Sequence, residues 1–402
     1  MKNLSTKLAL LKRTIGATDP APRRRQRDPG WDTKLCEVLN GDFEQTSKGE
    51  LFVAKRRHPV NEPYGRSNLT CCLEMPIEPL AELYQGLERF DMADTLFFDT
   101  ETTGLAGGSG TYAFLVGLGY YSGSEFVTEQ LLMRDHSDEP ALLAYLSRLL
   151  HYKSSLVSFN GRSFDAQLLT TRYGMHRLRD PFGDRAHLDL LHICRRLWGH
   201  GHLPDCRLET LESRILGAPR HQDVPGWLIP TLFFDFIRDK NPAPLKGVLE
   251  HNRRDLLAMV ALCSHLKGVL TTAEVDDPYL SLGLGRLWAA LGQSERSDRF
   301  FEKSIKDRRL DEEAREKALI YWARELKRRG LAKAAMLWRR TLIHYPGNLE
   351  ATVELAKWLE HSQGDYRSAL ILVEGGLRDR TLTSRRRQEL EHRATRLRRR
   401  MG

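Results

Sequence analysis

The sequence predicts an α/β domain, a mixed sheet flanked by helices, followed by an all-α helical repeat domain. Three observations carry this reading. Between residues 95 and 173, short apolar runs of strand length precede and then alternate with segments of helical spacing. From Asp276 onward the spacing is helical throughout. Within that region Gly330-Leu331-Ala332-Lys333-Ala334-Ala335 recurs as Gly364-Asp365-Tyr366-Arg367-Ser368-Ala369, at an offset of 34 residues.

Taken in order, residues 1–30 read as a basic N-terminal tail rich in structure breakers. Residues 31–93 read as an extension with short strands, of which Leu51–Ala54 is the clearest; Pro59, Pro63, Pro76 and Pro79 argue for irregular structure. The α/β domain is placed at 94–270. It begins with a strand at 95–99, then a glycine-rich link, Gly104–Gly110, then strands at 112–120 and 126–133. A helix fits 139–150, a strand 155–159 and a helix 163–173. Leu188–Trp198 reads as a further helix. The repeats occupy 276–377, with Trp288-Ala289-Ala290-Leu291-Gly292 as an earlier, irregular unit. Each unit buries its apolar face only by stacking on the next, and such stacks present a surface for a protein partner. Trp322 and Trp338 lie among apolar neighbours and read as core. Residues 378–402 form an Arg-rich tail or a capping helix, with Leu390, Ala394 and Leu397 as its apolar stripe.

The chemistry concentrates in three stretches. In Thr95–Gly104 an apolar run drives into Asp99 and Glu101. Residues two apart on a strand share a face, so both acids project from the end of a buried strand. Like charges there repel and are costly to desolvate, and a divalent cation removes that cost. In Leu156–Asp165 a second strand ends in the turn Asn160-Gly161, and Asp165 falls in the first turn of a helix, where the dipole favours an acid. In His251-Asn252-Arg253-Arg254-Asp255, which opens the helical run Leu256–Leu266, His251 and Asp255 are four apart and share a face. Asp189 reads either as a support behind the metal ligands or as a helix-start acid, and is left out of this set.

These three stretches, in this order, resemble the DEDD (DnaQ-like) exonuclease superfamily, with its ribonuclease H-like fold. Asp99-Thr100-Glu101-Thr102-Thr103-Gly104-Leu105-Ala106-Gly107-Gly108-Ser109-Gly110 and the tetratricopeptide-like tail resemble the YprB-type ribonuclease H-like proteins within it. The resemblance implies a 3′–5′ exonuclease acting on DNA or RNA. It implies that Asp99, Glu101, Asp165 and Asp255 bind two divalent ions, Mg²⁺ or Mn²⁺, and that His251 activates water. Such ions want carboxylate oxygens, and a pair of them stabilises both the attacking and the leaving oxygen of a phosphodiester. One departure stands out: His251 carries the spacing to Asp255 of the superfamily's Tyr branch, with three residues between, where its His branch has four. Thr102 and Gly104 are expected substrate contacts, and Asn160 either contacts substrate or closes its turn by its side chain. The alternative from another class is a non-catalytic nucleic-acid-binding or scaffold protein that docks partners on its repeats.

The chain carries a net charge of +9 over 402 residues. Residues 1–30 hold eight Lys/Arg against two acids, and residues 378–402 hold ten against three, so the arms account for +6 and +7 and the remainder for −4. Basic arms attract polyanions, here a nucleic acid. No apolar run is long enough to span a bilayer, and a cytoplasmic protein without membrane contact is expected. The six cysteines include no C-x-x-C pair. His187, His192, Cys194, His200, His202 and Cys206 do not have the usual zinc spacings and read as a helix followed by a loop.

Overall fold

Strand-length apolar runs build a seven-stranded mixed sheet. Its strands are β1 (Asp42–Thr46), β2 (Gly49–Pro59), β5 (Thr95–Thr102), β6 (Ala113–Ser122), β7 (Glu125–Leu132), β8 (Ser155–Ser158) and β9 (Ala186–Asp189), in the order β1-β2-β7-β6-β5-β8-β9. The short β3 (Pro63–Tyr64) and β4 (Ser67–Asn68) pair separately. β1/β2, β2/β7, β6/β7 and β5/β6 are antiparallel, and β5/β8 is parallel. This is a computed structural model, and it describes residues 29–70, 73, 75–84, 86–104, 110–183, 185–199, 203–379 and 382–402. The basic run before residue 29, Cys71, Cys72, His200, His202 and most of the glycine-rich link lie outside the described residues.

The helices of eight residues or more are α1 (Pro29–Leu39), α2 (Glu139–Leu150), α3 (Asp165–Met175), α4 (Leu190–Trp198), α5 (Ile229–Asp239), α6 (Leu245–Thr271), α7 (Pro278–Ala290), α8 (Ser294–Lys306), α9 (Glu312–Arg328), α10 (Lys333–His344), α11 (Leu349–Trp358), α12 (Tyr366–Leu377) and α13 (Ser384–Met401). The chain packs as two units. One takes the residues up to Glu62, Asp91–His187 and His221–Val260; the other takes Pro63–Phe90, Leu188–Arg220 and Ala261–Gly402.

In the first unit the sheet is wrapped in helices, as the order of elements predicts. Thr95–Phe98 of β5 are buried and the residues that follow are half-buried, so the strand leaves the core where its acids begin. The core joins Phe98, Phe114 and Leu118 of the sheet to Leu142 and Leu146 of α2, Leu169 of α3, and Phe233 and Phe236 of α5. Phe114 and Phe233 stack with ring centroids 4.0 Å apart. Residues 42–59, expected as part of an extension, contribute β1 and β2 to this same sheet. Helix α2 covers the residues expected, 139–150.

Two boundaries differ from the sequence reading. His251 and Asp255 do not open a helix: α6 begins at Leu245, and they lie well inside its 27 residues. The intervening polar turn is held by Glu250, which accepts from Arg253 at 2.6 Å and from Arg254 at 2.8 Å, pairs three and four residues apart on a helix. Leu188 does not open α4 either. It belongs to β9, and Asp189 ends the strand by capping α4, its side chain accepting from the Leu191 amide at 3.1 Å.

In the second unit the helices pair as α7/α8, α9/α10 and α11/α12, followed by α13. Gly292, Gly330 and Gly364 have φ of +68°, +70° and +65°. Each lies between the two helices of a pair, in the left-handed region that side chains disfavour. The glycines of the sequence repeat are therefore the turns of a structural one. Trp322 and Trp338 are buried, as expected. Leu390, Ala394 and Leu397 of α13 are buried too, while Arg393 and Arg396 donate to Glu360 and Arg398 to Glu374. The Arg-rich segment is thus a helix that caps the helical unit with its apolar stripe. Among the described residues no helix is long and apolar enough to cross a membrane.

Candidate active site

Asp99 and Glu101 leave the core at the end of β5, both half-buried. Asp165 is the first residue of α3, and the Thr100 hydroxyl donates to it. From α6, His251 turns Nε2 toward the acids, 3.4 Å from Asp255 Oδ2 and 3.9 Å from Glu101 Oε1. Donor atoms of Glu101, His251 and Asp255 all lie within 4.8 Å of one another. Burial pushes the Asp99 carboxyl well above the usual carboxylate range, and the charges of Asp255, Asp165 and Glu101 push it further. The four acids and the imidazole predicted from three separate stretches therefore meet at one place.

Two residues of this site carry no signal in the sequence pattern. Asp223 lies on the segment before α5, and its Oδ2 is 2.9 Å from His251 Nδ1. The contact orients the ring and aims Nε2 at the acids. It depends on close approach of that segment to α6: a Cβ on Gly247, one turn before His251, would stand 2.5 Å from the Val224 side chain. Asn252 is fully buried and donates from Nδ2 to Asp99 Oδ2 at 2.9 Å. Asn252 is an uncharged amide between the titratable His251 and the charged Arg253, and the sequence pattern gives it no mark of its own.

The expected substrate contacts are placed as follows. Thr102 Oγ1 donates to the Gly104 carbonyl at 2.9 Å, closing the turn that leaves β5. Asn160 has a φ of +65°, the conformation of a turn residue, between β8 and α3. Phe164, the residue before α3, is 61% exposed, next to Asp165. Of the His/Cys cluster, His187, His192, Cys194 and Cys206 lie among the described residues. His187 pairs with Ser158 Oγ at 2.8 Å, and burial, aided by Arg162, lowers its imidazole to about 4. Cys194 is buried in α4, and neither it nor Cys206 joins a metal-ready group among the described residues.

The donor set fits hard divalent cations. Four carboxylates converge, and at Asp99 burial and the charges of the other three penalise ionisation; a cation relieves both. Donor atoms of Glu101, His251 and Asp255 already stand close enough for one ion to bridge.

Residues 96–267 match the RNase_H_2 model of the RNase_H superfamily, so the chain carries a domain of that superfamily. It is 33% identical over 313 residues to the uncharacterized protein YprB of Bacillus subtilis (strain 168), covering 75% of this chain and 74% of that one. The chain belongs to the YprB family. It also bears a slight likeness, at 13% identity and a TM-score of 0.34, to the family B DNA polymerase of the archaeon Pyrobaculum calidifontis, covering 56% of this chain and 29% of that one.

Proposed function

We propose that the protein is a metal-dependent 3′–5′ exonuclease that hydrolyses phosphodiester bonds of DNA or RNA. The observation that supports it best is the convergence of Asp99, Glu101, Asp165 and Asp255 from a strand and two helices, with an imidazole turned onto them. Two divalent ions, Mg²⁺ or Mn²⁺, bound by the four acids would offset negative charge on the attacking and leaving oxygens. His251 takes the proton of the attacking water at Nε2, while Asp223 at Nδ1 keeps the ring in place and supports the positive charge it gains. The exposed Phe164 ring beside Asp165 offers a stacking face to a terminal base, a contact worth about 1–3 kcal/mol in single-strand binding proteins. The 3′–5′ direction rests on the DEDD resemblance.

The test is a cleavage assay with 5′-labelled single-stranded DNA and RNA in Mg²⁺ or Mn²⁺. A ladder shortening from the 3′ end, absent with Asp99→Ala, supports the reading and names the sugar. A folded Asp99→Ala chain with the full ladder sinks it, and internal cuts in a circular strand replace exonuclease by endonuclease. A second role is proposed for the helical unit as a docking surface for a protein partner. Met336 and Ile343, seven residues apart on α10, are 67% and 74% exposed, which favours it.

A further inference from the structure

A row of three residues crosses the centre of the sheet: Asp99 on β5 is paired with Gly117 on β6, which is paired with Gln130 on β7. The middle member has no side chain, and the space is taken by the amide of Asn252 from α6. A Cβ on Gly117 would stand 2.1 Å from Asn252 Oδ1. Asn252 thus lies across the strand and reaches both neighbours. Its Oδ1 accepts from Gln130 Nε2 at 2.9 Å, and its Nδ2 donates to Asp99 Oδ2 at 2.9 Å.

The polarity of this chain of bonds is determined from its far end. Gln130 Nε2 also donates to the Leu249 carbonyl at 2.6 Å. A backbone carbonyl only accepts, so the NH₂ of Gln130 must face it. The same nitrogen meets Asn252, so Asn252 must present its oxygen there and its NH₂ to Asp99. Asn252 and Gln130 are both buried, and a reversed amide would leave unmatched polar atoms out of reach of water.

We propose that Asn252 is a positioning residue, oriented by Gln130 across the gap at Gly117, which holds the Asp99 carboxyl group in the orientation in which it would receive a divalent cation. The inference rests on the metal-binding reading of the site.

Mn²⁺ binding to the full chain, followed by electron paramagnetic resonance, tests it without reference to activity. The chains compared are wild type, Asp99→Ala, Asn252→Ala, Gln130→Met and the Asn252→Ala/Gln130→Met double variant, with thermal melts of each. Both single variants are expected to bind Mn²⁺ about 10-fold more weakly, the lower end of what lost support of a metal ligand costs. The double variant should bind no more weakly than Asn252→Ala alone, because both changes act through one bond. Gln130→Met keeps the side-chain volume and does not touch Asp99, so it reports even where truncation at 252 costs the fold. Single variants that melt lower yet bind Mn²⁺ like wild type would show a packing role and overturn the proposal. Additive losses in the double variant would overturn the relay. A wild-type chain that binds no more Mn²⁺ than Asp99→Ala overturns the metal reading, and this inference with it.

Discussion

Asp99 is the residue at which stability and chemistry oppose each other. Its carboxyl is raised well above the usual range by burial and three nearby acids, so ionisation costs the fold free energy as pH rises from the unfolded value of 3.8. Asp99→Asn is therefore expected to raise the melting temperature of the metal-free chain at pH 8 while abolishing cleavage. A melting temperature that falls would mean that the carboxylate is already compensated by the fold. In the proposed mechanism Asp223 acts through His251, whose Nδ1 it contacts. Asp223→Ala should slow single-turnover cleavage by roughly 10–100-fold with little change in melting, as loss of an orienting carboxylate does at related sites. An unchanged rate would leave Asp223 as a loop residue alone. The acids were legible in the sequence because alternation along a strand and spacing along a helix are local rules. Asp223 and Asn252 were not, since their partners lie 28 and 153 residues away.

At the scale of elements, α6 shows how a motif is displaced by reading it in isolation. His251-Asn252-Arg253-Arg254-Asp255 looks like a helix start because it is polar. Glu250 converts it to a helix interior by pairing with both arginines. The repeat glycines make the opposite case: a bare spacing of 34 residues predicted paired helices, and Gly330 and Gly364 take the same left-handed backbone between the helices of their pairs. Gly364→Ala places a side chain at φ +65° and should lower the unfolding free energy by about 1 kcal/mol in urea. Gly347→Ala is the control: its added methyl meets nothing within 4 Å and its φ is not positive, so a loss as large as that at 364 would remove the strain argument.

For the whole molecule, pH and metal should act through groups already named. His187 is held at about 4 in the fold against an ordinary 6.5. A lowered imidazole contributes stability that is complete above 6.5 and is lost as pH falls toward 4. Metal-free wild type should lose melting temperature across that window, and His187→Gln should lose less; equal losses would assign the acid sensitivity elsewhere. At pH 8, adding Mn²⁺ should raise the melting temperature, since an ion that binds only the folded chain stabilises it by mass action. Asp99→Ala should lose that rise. Taken by itself, the sequence determined the class of fold, the strand end that carries Asp99 and Glu101, the acids of the two helices and the paired helices of the C-terminal region. The first three follow from periodicities within a few residues, and the last from helical spacing and a recurrence at 34 residues. Only the tertiary structure decided that residues 42–59 complete the sheet, that Asp223 holds His251, and that Asn252 fills the gap at Gly117 to reach Asp99. Those depend on which distant segments come close, and close approach is set by packing across the sheet rather than by any local spacing.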